Sequence, residues 1–183
     1  AVVAYGGKLV FDNVADVQEQ TQGLLAPGNL MLLYIGLVIL KVFREFGHAY
    51  VCRHYGGEVH VMGIMLLVFT PIPYMDATSS WAFRNRRHRI FVGAAGMIVE
   101  IFVAGLATII WAKTDGGAIH NLAYNMMITA SVSTVVFNIN PLLRFDGYYI
   151  LSDLVDSPNL HRQAAKQTLY LVERFAFGCH KAI

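Results

Sequence analysis

The sequence predicts an all-α membrane protein with three transmembrane helices, a small β or re-entrant hairpin element and a C-terminal amphipathic helix. Hydrophobic residues make up 56% of the 183 residues and charged residues only 14%, whereas typical soluble domains hold roughly 25% charged residues. Three stretches are long and apolar enough to cross a bilayer core, which takes about 20 helical residues. The net charge of +2 excludes the basic excess that is typical of proteins that bind nucleic acid.

The first element is the segment before the first span. Residues 1–28 hold only a short apolar start and no basic region that would mark a signal peptide, so we expect them to be the tail of a preceding segment. A membrane-embedded core is predicted over residues 29–156. Its first span, at about 30–52, carries ionisable side chains in its second half, namely Lys41, Arg44, Glu45 and His48. Because each charge facing lipid would cost about 2.5–3.5 kcal/mol, these residues are candidates for function.

Two further spans follow. The second is expected at about 90–111, with Glu100 as its single charge, and the third at about 122–143, with no charge. Between the first and second spans, the apolar stretch at 59–74 is too short to cross the membrane and is interrupted by two prolines. We therefore expect one or two strands, or a re-entrant hairpin, packed beside the helices.

The positive charges predict the orientation of the spans. Arginines are concentrated between the first two spans, at Arg53 and from Arg84 to Arg89, whereas residues 113–121 hold one lysine and one aspartate. Since loops rich in Lys and Arg remain in the cytoplasm, the Arg84 to Arg89 loop is expected to be cytoplasmic.

The C-terminal element begins at Ser157 and Pro158, residue types that suit the N-cap and the first position of a helix. Apolar and charged residues then alternate at helical spacing. Residues 157–183 are therefore predicted to form an amphipathic helix at the membrane surface, leading into a missing C-terminal part.

The charged half of the first span reads Arg44-Glu45-Phe46-Gly47-His48. In the motif H-E-x-x-H, two histidines one helical turn apart bind zinc and the glutamate is the general base. Only E-x-x-H is present here. A zinc site also needs a further ligand from elsewhere, and Asp146, just beyond the third span, is expected at the same membrane depth. The alternatives are a Lys41–Glu45 surface pair and a simple Asp146-Gly147 turn.

Together with the segments GGEVHVMGIMLLVFTPIPYMDA and NPLLRFDGYYILSDL, these residues resemble the site-2 proteases, a family of membrane-embedded zinc metallopeptidases, and most of all its bacterial peptide zinc metalloprotease branch. The resemblance covers residues 28–183. It implies Glu45 as the general base and His48 and Asp146 as zinc ligands, with Asn140 near the site to orient substrate or ligand. It also implies that residues 93–100 line the cavity, although Glu100 is equally well explained as a structural acid bonded to a neighbouring helix.

Arg44 departs from the family pattern, because it stands where the family has its first zinc-binding histidine. A guanidinium has no lone pair to offer a metal, so zinc binding is expected to be weak or absent. Cys52, one turn beyond His48, is an alternative donor. A cation on the inner face of a membrane helix needs an anion, and we predict that Arg44 pairs with Asp146 or, as second choice, with Glu100.

The resemblance implies a protein of the bacterial inner membrane that hydrolyses peptide bonds in or near the membrane with zinc. Arg44 makes that activity doubtful for this chain. The alternative is an inactive relative, a pseudoprotease that acts as a membrane peptide-binding protein or as a subunit of an export complex. The implied partners are membrane lipid, a peptide or membrane-protein substrate, and periplasmic-adaptor or export components.

Overall fold

A computed structural model of the chain describes residues 1–67, 70–76, 78–156 and 160–176. The described residues are mostly helical and contain one two-stranded sheet. The helices are α1 (Val2–Asp12), α2 (Val14–Thr21), α3 (Leu30–His54), α4 (Arg86–Lys113), α5 (Gly117–Val132), α6 (Asp146–Val155) and α7 (Leu160–Ala176). The strands are β1 (Met62–Leu67) and β2 (Thr70–Met75), followed by a 3₁₀ turn (Thr78–Ala82); a π-helical segment (Ser133–Asn138) continues α5.

The centre of the molecule is a bundle of α3, α4 and α5, with α1 and α6 packed against α4. Leu40, Val103 and Ala130, one from each helix of the bundle, form a buried apolar cluster. A second cluster, near the junction of α4 and α5, is built around Trp111 and Tyr124. The second half of α3, which carries the ionisable residues, lies against the first half of α4, where Gly96 meets His48 and Arg44.

Of the alternatives predicted between the first two spans, one or two strands or a re-entrant hairpin, two paired strands are present. β1 and β2 pair antiparallel in a register that sets Met62 opposite Met75. Pro71 and Pro73 are tolerated in β2 because each strand of a two-stranded sheet has a free edge, where a missing N–H costs no ladder bond. β2 packs on α3 and brings this hairpin to the charged part of that helix.

Among the described residues one helix, α4, is both long and apolar enough to cross a membrane. Such a helix is weak evidence alone, because a buried core helix has the same length and composition. α3 is also long, at 25 residues, but carries the charged second half described above. α5 has 16 residues before the π-helical segment begins.

The structure refines two parts of the sequence prediction. The third span was expected to reach residue 143, but helical structure ends at Asn138, because Pro141 cannot continue a helix and the Asn140 side chain accepts a hydrogen bond from the Leu142 backbone N–H at 3.0 Å. Residues 1–28, expected only as a tail, hold α1 and α2. α1 crosses α4 where Gly6 meets Gly105, a close contact between two small residues far apart in the chain.

The amphipathic C-terminal helix is present as α7 over Leu160–Ala176. Leu169 and Phe175 on it are 63% and 79% exposed, so its apolar side chains do not enter the core of the bundle. The predicted cap at Ser157 and Pro158 lies outside the described residues.

Candidate functional site

A cavity of about 340 Å³ opens where α3, α4, α6 and the end of the hairpin meet. α3 contributes the three residues of the incomplete motif, Arg44, Glu45 and His48, and α6 contributes Asp146. The rest of the lining comes from the hairpin, the 3₁₀ turn, α4 and α6: Met75, Thr78, Ser80, Trp81, Arg89, Val92, Gly93, Tyr149, Ser152 and Asp153.

His48 is held in one orientation by α4. Its Nδ1 donates a hydrogen bond to the Val92 carbonyl oxygen at 2.8 Å, since a carbonyl can only accept. Its Nε2 therefore points the other way and lies 3.6 Å from Oδ2 of Asp146. The predicted convergence of His48 and Asp146, 98 positions apart (146 minus 48), is confirmed.

Gly96 makes room for this arrangement. Val92, Gly96 and Glu100 follow one another at intervals of four residues, so they share the face of α4 that packs on α3. A Cβ at Gly96 would stand only 2.8 Å from Cε1 of His48 and 3.0 Å from Cγ of Arg44. Any larger residue would push both side chains out of place.

Asp146 is the first residue of α6, where the helix dipole favours a carboxylate. The chain can turn tightly here because residue 147 is a glycine, whose Cβ position would lie 2.6 Å from the Ile139 carbonyl oxygen. Burial raises the pKa of Asp146, but the contact with His48 and the charge of Arg44 outweigh it and hold that pKa below its usual range. Asp146 is thus a carboxylate at neutral pH.

Arg44 is the centre of the charged group. Its Nη2 donates to Oδ2 of Asp146 at 2.8 Å and its Nη1 to Oε1 of Glu45 at 3.0 Å. Its Nε lies 3.7 Å from Oε1 of Glu100 and, although buried, has no hydrogen-bond partner among the described residues. The predicted pairing of Arg44 with Asp146 is confirmed, and the second-choice partner is also within ion-pair distance.

Glu100 lies behind the cavity and is fully buried. Its Oε2 accepts hydrogen bonds from Thr134 and Asn138, both at 2.7 Å, while Lys41 and Ser133 contact Oε1 at 3.3 Å. The sequence left two explanations open for Glu100. The hydrogen bonds to a neighbouring helix are present, and Glu100 does not line the cavity among the described residues.

Sequence reasoning missed two of these partners, Thr134 and Asn138, which both lie in the π-helical segment. The sequence nevertheless contains a pattern that marks these two residues. Two polar residues four positions apart within an otherwise apolar run mark one helix face that needs a polar partner, and π-helical turns are frequent at functional sites.

Two other candidates lie elsewhere. The side chain of Asn140 bonds to the backbone of the turn that follows the π-helical segment, and within the described part of the chain it does not line the cavity. Cys52 is fully buried, with Sγ 3.5 Å from Oγ of Ser79, and is likewise outside that lining. Neither residue is placed to replace a missing zinc ligand.

The site does not fit a catalytic zinc ion as it stands. Two donors on one tetrahedral zinc are about 3.4 Å apart, and Nε2 of His48 and Oδ2 of Asp146 approach that separation. A third donor is required, but the described residues contain no group of three His, Cys, Asp or Glu side chains placed to hold a metal. Instead, a guanidinium nitrogen of Arg44 forms an ion pair with the carboxylate oxygen of Asp146.

In comparisons with known proteins, the chain matches no protein-family model, no curated protein and no solved structure.

Proposed function

We propose that this chain is a membrane-embedded relative of the site-2 metallopeptidases that binds a peptide segment of a membrane protein without cleaving it. The observation that carries the proposal is the position of Arg44. It lies beside His48 and Asp146, where a hydrolytic site of this kind would need a metal donor, and its guanidinium is bonded to the aspartate at 2.8 Å.

The cavity is suited to a short peptide segment. Its volume of about 340 Å³ lies within the range of small-ligand sites, roughly 300–1,000 Å³. One wall is aromatic, with Trp81 packed edge-on against Tyr149 and 69% exposed. The lining also includes the charged side chains of α3. A peptide could place an apolar side chain on the aromatic wall and its backbone groups on these charged side chains.

The proposed location is the bacterial inner membrane, with α3, α4 and α5 as spans and the Arg84 to Arg89 region in the cytoplasm. The length and composition of α4 support this. Large apolar side chains that point outward from the bundle also support a membrane location. Each is 46–57% exposed: Phe43, Phe46, Ile98, Phe102 and Ile110. Clusters of exposed apolar side chains of this size suit a lipid environment.

Zinc-dependent peptide hydrolysis is a second candidate, favoured by the orientation of His48. A histidine that donates Nδ1–H to a carbonyl and turns Nε2 toward an aspartate is oriented like a metal ligand. Glu45, the residue that would serve as general base, lines the same cavity. This candidate requires Arg44 to move away and a third donor to replace it.

A binding assay with a defined probe separates the two candidates. The purified protein in lipid nanodiscs would be titrated with a fluorescent peptide of about 20 apolar residues, and its anisotropy and intact mass followed with added zinc and with a chelator. We expect saturable binding and an unchanged peptide mass. Trp81→Ala should weaken binding, whereas Phe11→Ala, an exposed aromatic residue on α1, should not.

Cleavage that a chelator stops would establish hydrolysis and overturn the proposal. Absence of saturable binding, or equal binding by the Trp81→Ala and unaltered proteins, would show that the cavity is not a peptide site.

A further inference from the structure

The carboxylates around Arg44 outnumber the cations. Its guanidinium is within 4 Å of one acid from each of three helices, Glu45, Glu100 and Asp146. One further cation, Lys41, pairs with Glu100 at 3.3 Å. Two cations opposing three anions leave a formal charge of −1. If Arg44 were neutral the formal charge would be −2, which is the charge that one divalent cation neutralises.

The guanidinium also joins side chains from different helices, as a bound metal ion would. Its donors are arranged in a rigid plane, so one group can bond to several acceptors that lie in different directions. Here Nη1, Nη2 and Nε face acids on α3, α6 and α4 respectively. The side chain is 15% exposed, so the interactions are only weakly screened by water. Arg44 therefore links α3 to α4 and α6, the three helices that line the cavity.

We infer that Arg44 is a built-in replacement for a metal cation: it offsets part of the negative charge of the site and joins α3 to α4 and α6, so the folded chain neither needs nor holds zinc. The remaining donors, His48 and Asp146, keep the spacing of a zinc pair. A single exchange, Arg44→His, is therefore expected to create a zinc site. This inference concerns metal content and stability and does not depend on whether the cavity binds a peptide.

The test measures bound zinc per chain and the thermal unfolding midpoint in nanodiscs, after dialysis against a chelator and after zinc is added back. The unaltered chain should bind no stoichiometric zinc, and its midpoint should be the same in both conditions. Arg44→His should bind about one equivalent, at least about tenfold more tightly than the unaltered chain, and its midpoint should rise with zinc.

Three further variants make the test specific. Adding His48→Asn to Arg44→His should abolish the gain of zinc. Arg89→His places a histidine on the same cavity, away from the His48 and Asp146 pair, and should bind no zinc. Arg44→Gln removes the cation and supplies no ligand, so its midpoint should fall and should not recover with zinc.

Stoichiometric zinc in the unaltered chain that is lost in His48→Asn would overturn the inference. So would an Arg44→Gln protein as stable as the unaltered one, or an Arg44→His protein that gains no zinc or cannot be recovered folded with zinc present. The fluorescent-peptide titration on the same samples reports the proposed function separately, because Trp81→Ala should weaken peptide binding and leave the zinc result unchanged.

Discussion

The bundle has a buried polar cluster and a cavity of about 340 Å³ at each end, and the two clusters differ in chemistry. At the end where α3 begins, Asn29 and Asn125 exchange two hydrogen bonds at 2.8 and 2.9 Å through neutral amides. At the other end Arg44 faces three carboxylates, its buried Nε has no hydrogen-bond partner in the described part of the chain, and Nε2 of His48 points at an acid.

The difference separates a structural cluster from a functional one. Reciprocal amide pairs satisfy one another and need no ligand. A buried group with more anions than cations, and with one donor left without a hydrogen bond, lowers the stability of the fold. Such a group is therefore a candidate for function. The charged end is therefore the candidate site, and the amide end is a joint between α3 and the start of α5.

The largest effect is expected for Arg44→Gln, which leaves the surrounding acids without their shared cation. Removing one partner of a buried ion pair costs about 3–5 kcal/mol. Detergent-induced unfolding in mixed micelles would measure the loss of unfolding free energy. A loss below about 1 kcal/mol would mean that the acids do not depend on Arg44.

Gly96→Ala is expected to have the next largest effect, about 2 kcal/mol, because the added methyl group overlaps His48 and Arg44. Gly7→Ala is the matched control, since a Cβ at that helical glycine meets nothing within 4 Å. The same unfolding assay compares the two. Equal effects would show that His48 is free to move aside.

At the amide end, Asn125→Ala should cost about 1–2 kcal/mol by leaving Asn29 with unmet hydrogen bonds. The double variant with Asn29→Ala should cost less than the sum of the single variants. Peptide binding at the opposite cavity should not change. A loss of peptide binding would contradict the separation of the two ends.

The smallest effect is expected at the rim of the charged cavity. Arg89 pairs with Asp153 at 2.7 Å, and both side chains are 24% exposed. Arg89 also donates to the Phe83 carbonyl oxygen at 2.9 Å. Because this pair has more access to water than the pairs of Arg44, Arg89→Ala should cost less than Arg44→Gln in the unfolding assay. A cost as large as that of Arg44→Gln would place the critical ion pair at the rim.

The sequence predicted the elements whose residues carry a local signal. A helix was expected at about 30–52, and α3 covers Leu30–His54, because apolar residues recur at helical spacing there. The hairpin followed from a short apolar stretch with two prolines. The Arg44–Asp146 pair followed from charge: a cation in a low-dielectric setting must find an anion, and few were available.

Other features depend on contacts that the sequence does not encode locally. The packing of α1 rests on the meeting of Gly6 with Gly105, far apart in the chain. Thr134 and Asn138 could be recognised as one polar face, but their partner Glu100 lies 34 and 38 residues away in the chain. Asn140 was expected near the site. Its side chain instead accepts a hydrogen bond from the backbone of the turn in which it lies, because a short amide side chain readily bonds to nearby backbone.

The most direct test of the account is a double-mutant cycle between Arg44→Gln and Asp146→Asn, measured by unfolding in the presence and in the absence of a chelator. We expect a coupling of about 2–3 kcal/mol that is the same in both conditions, because the guanidinium and not a metal holds the carboxylate. A coupling near zero, or one that disappears when zinc is chelated, would contradict the central claim.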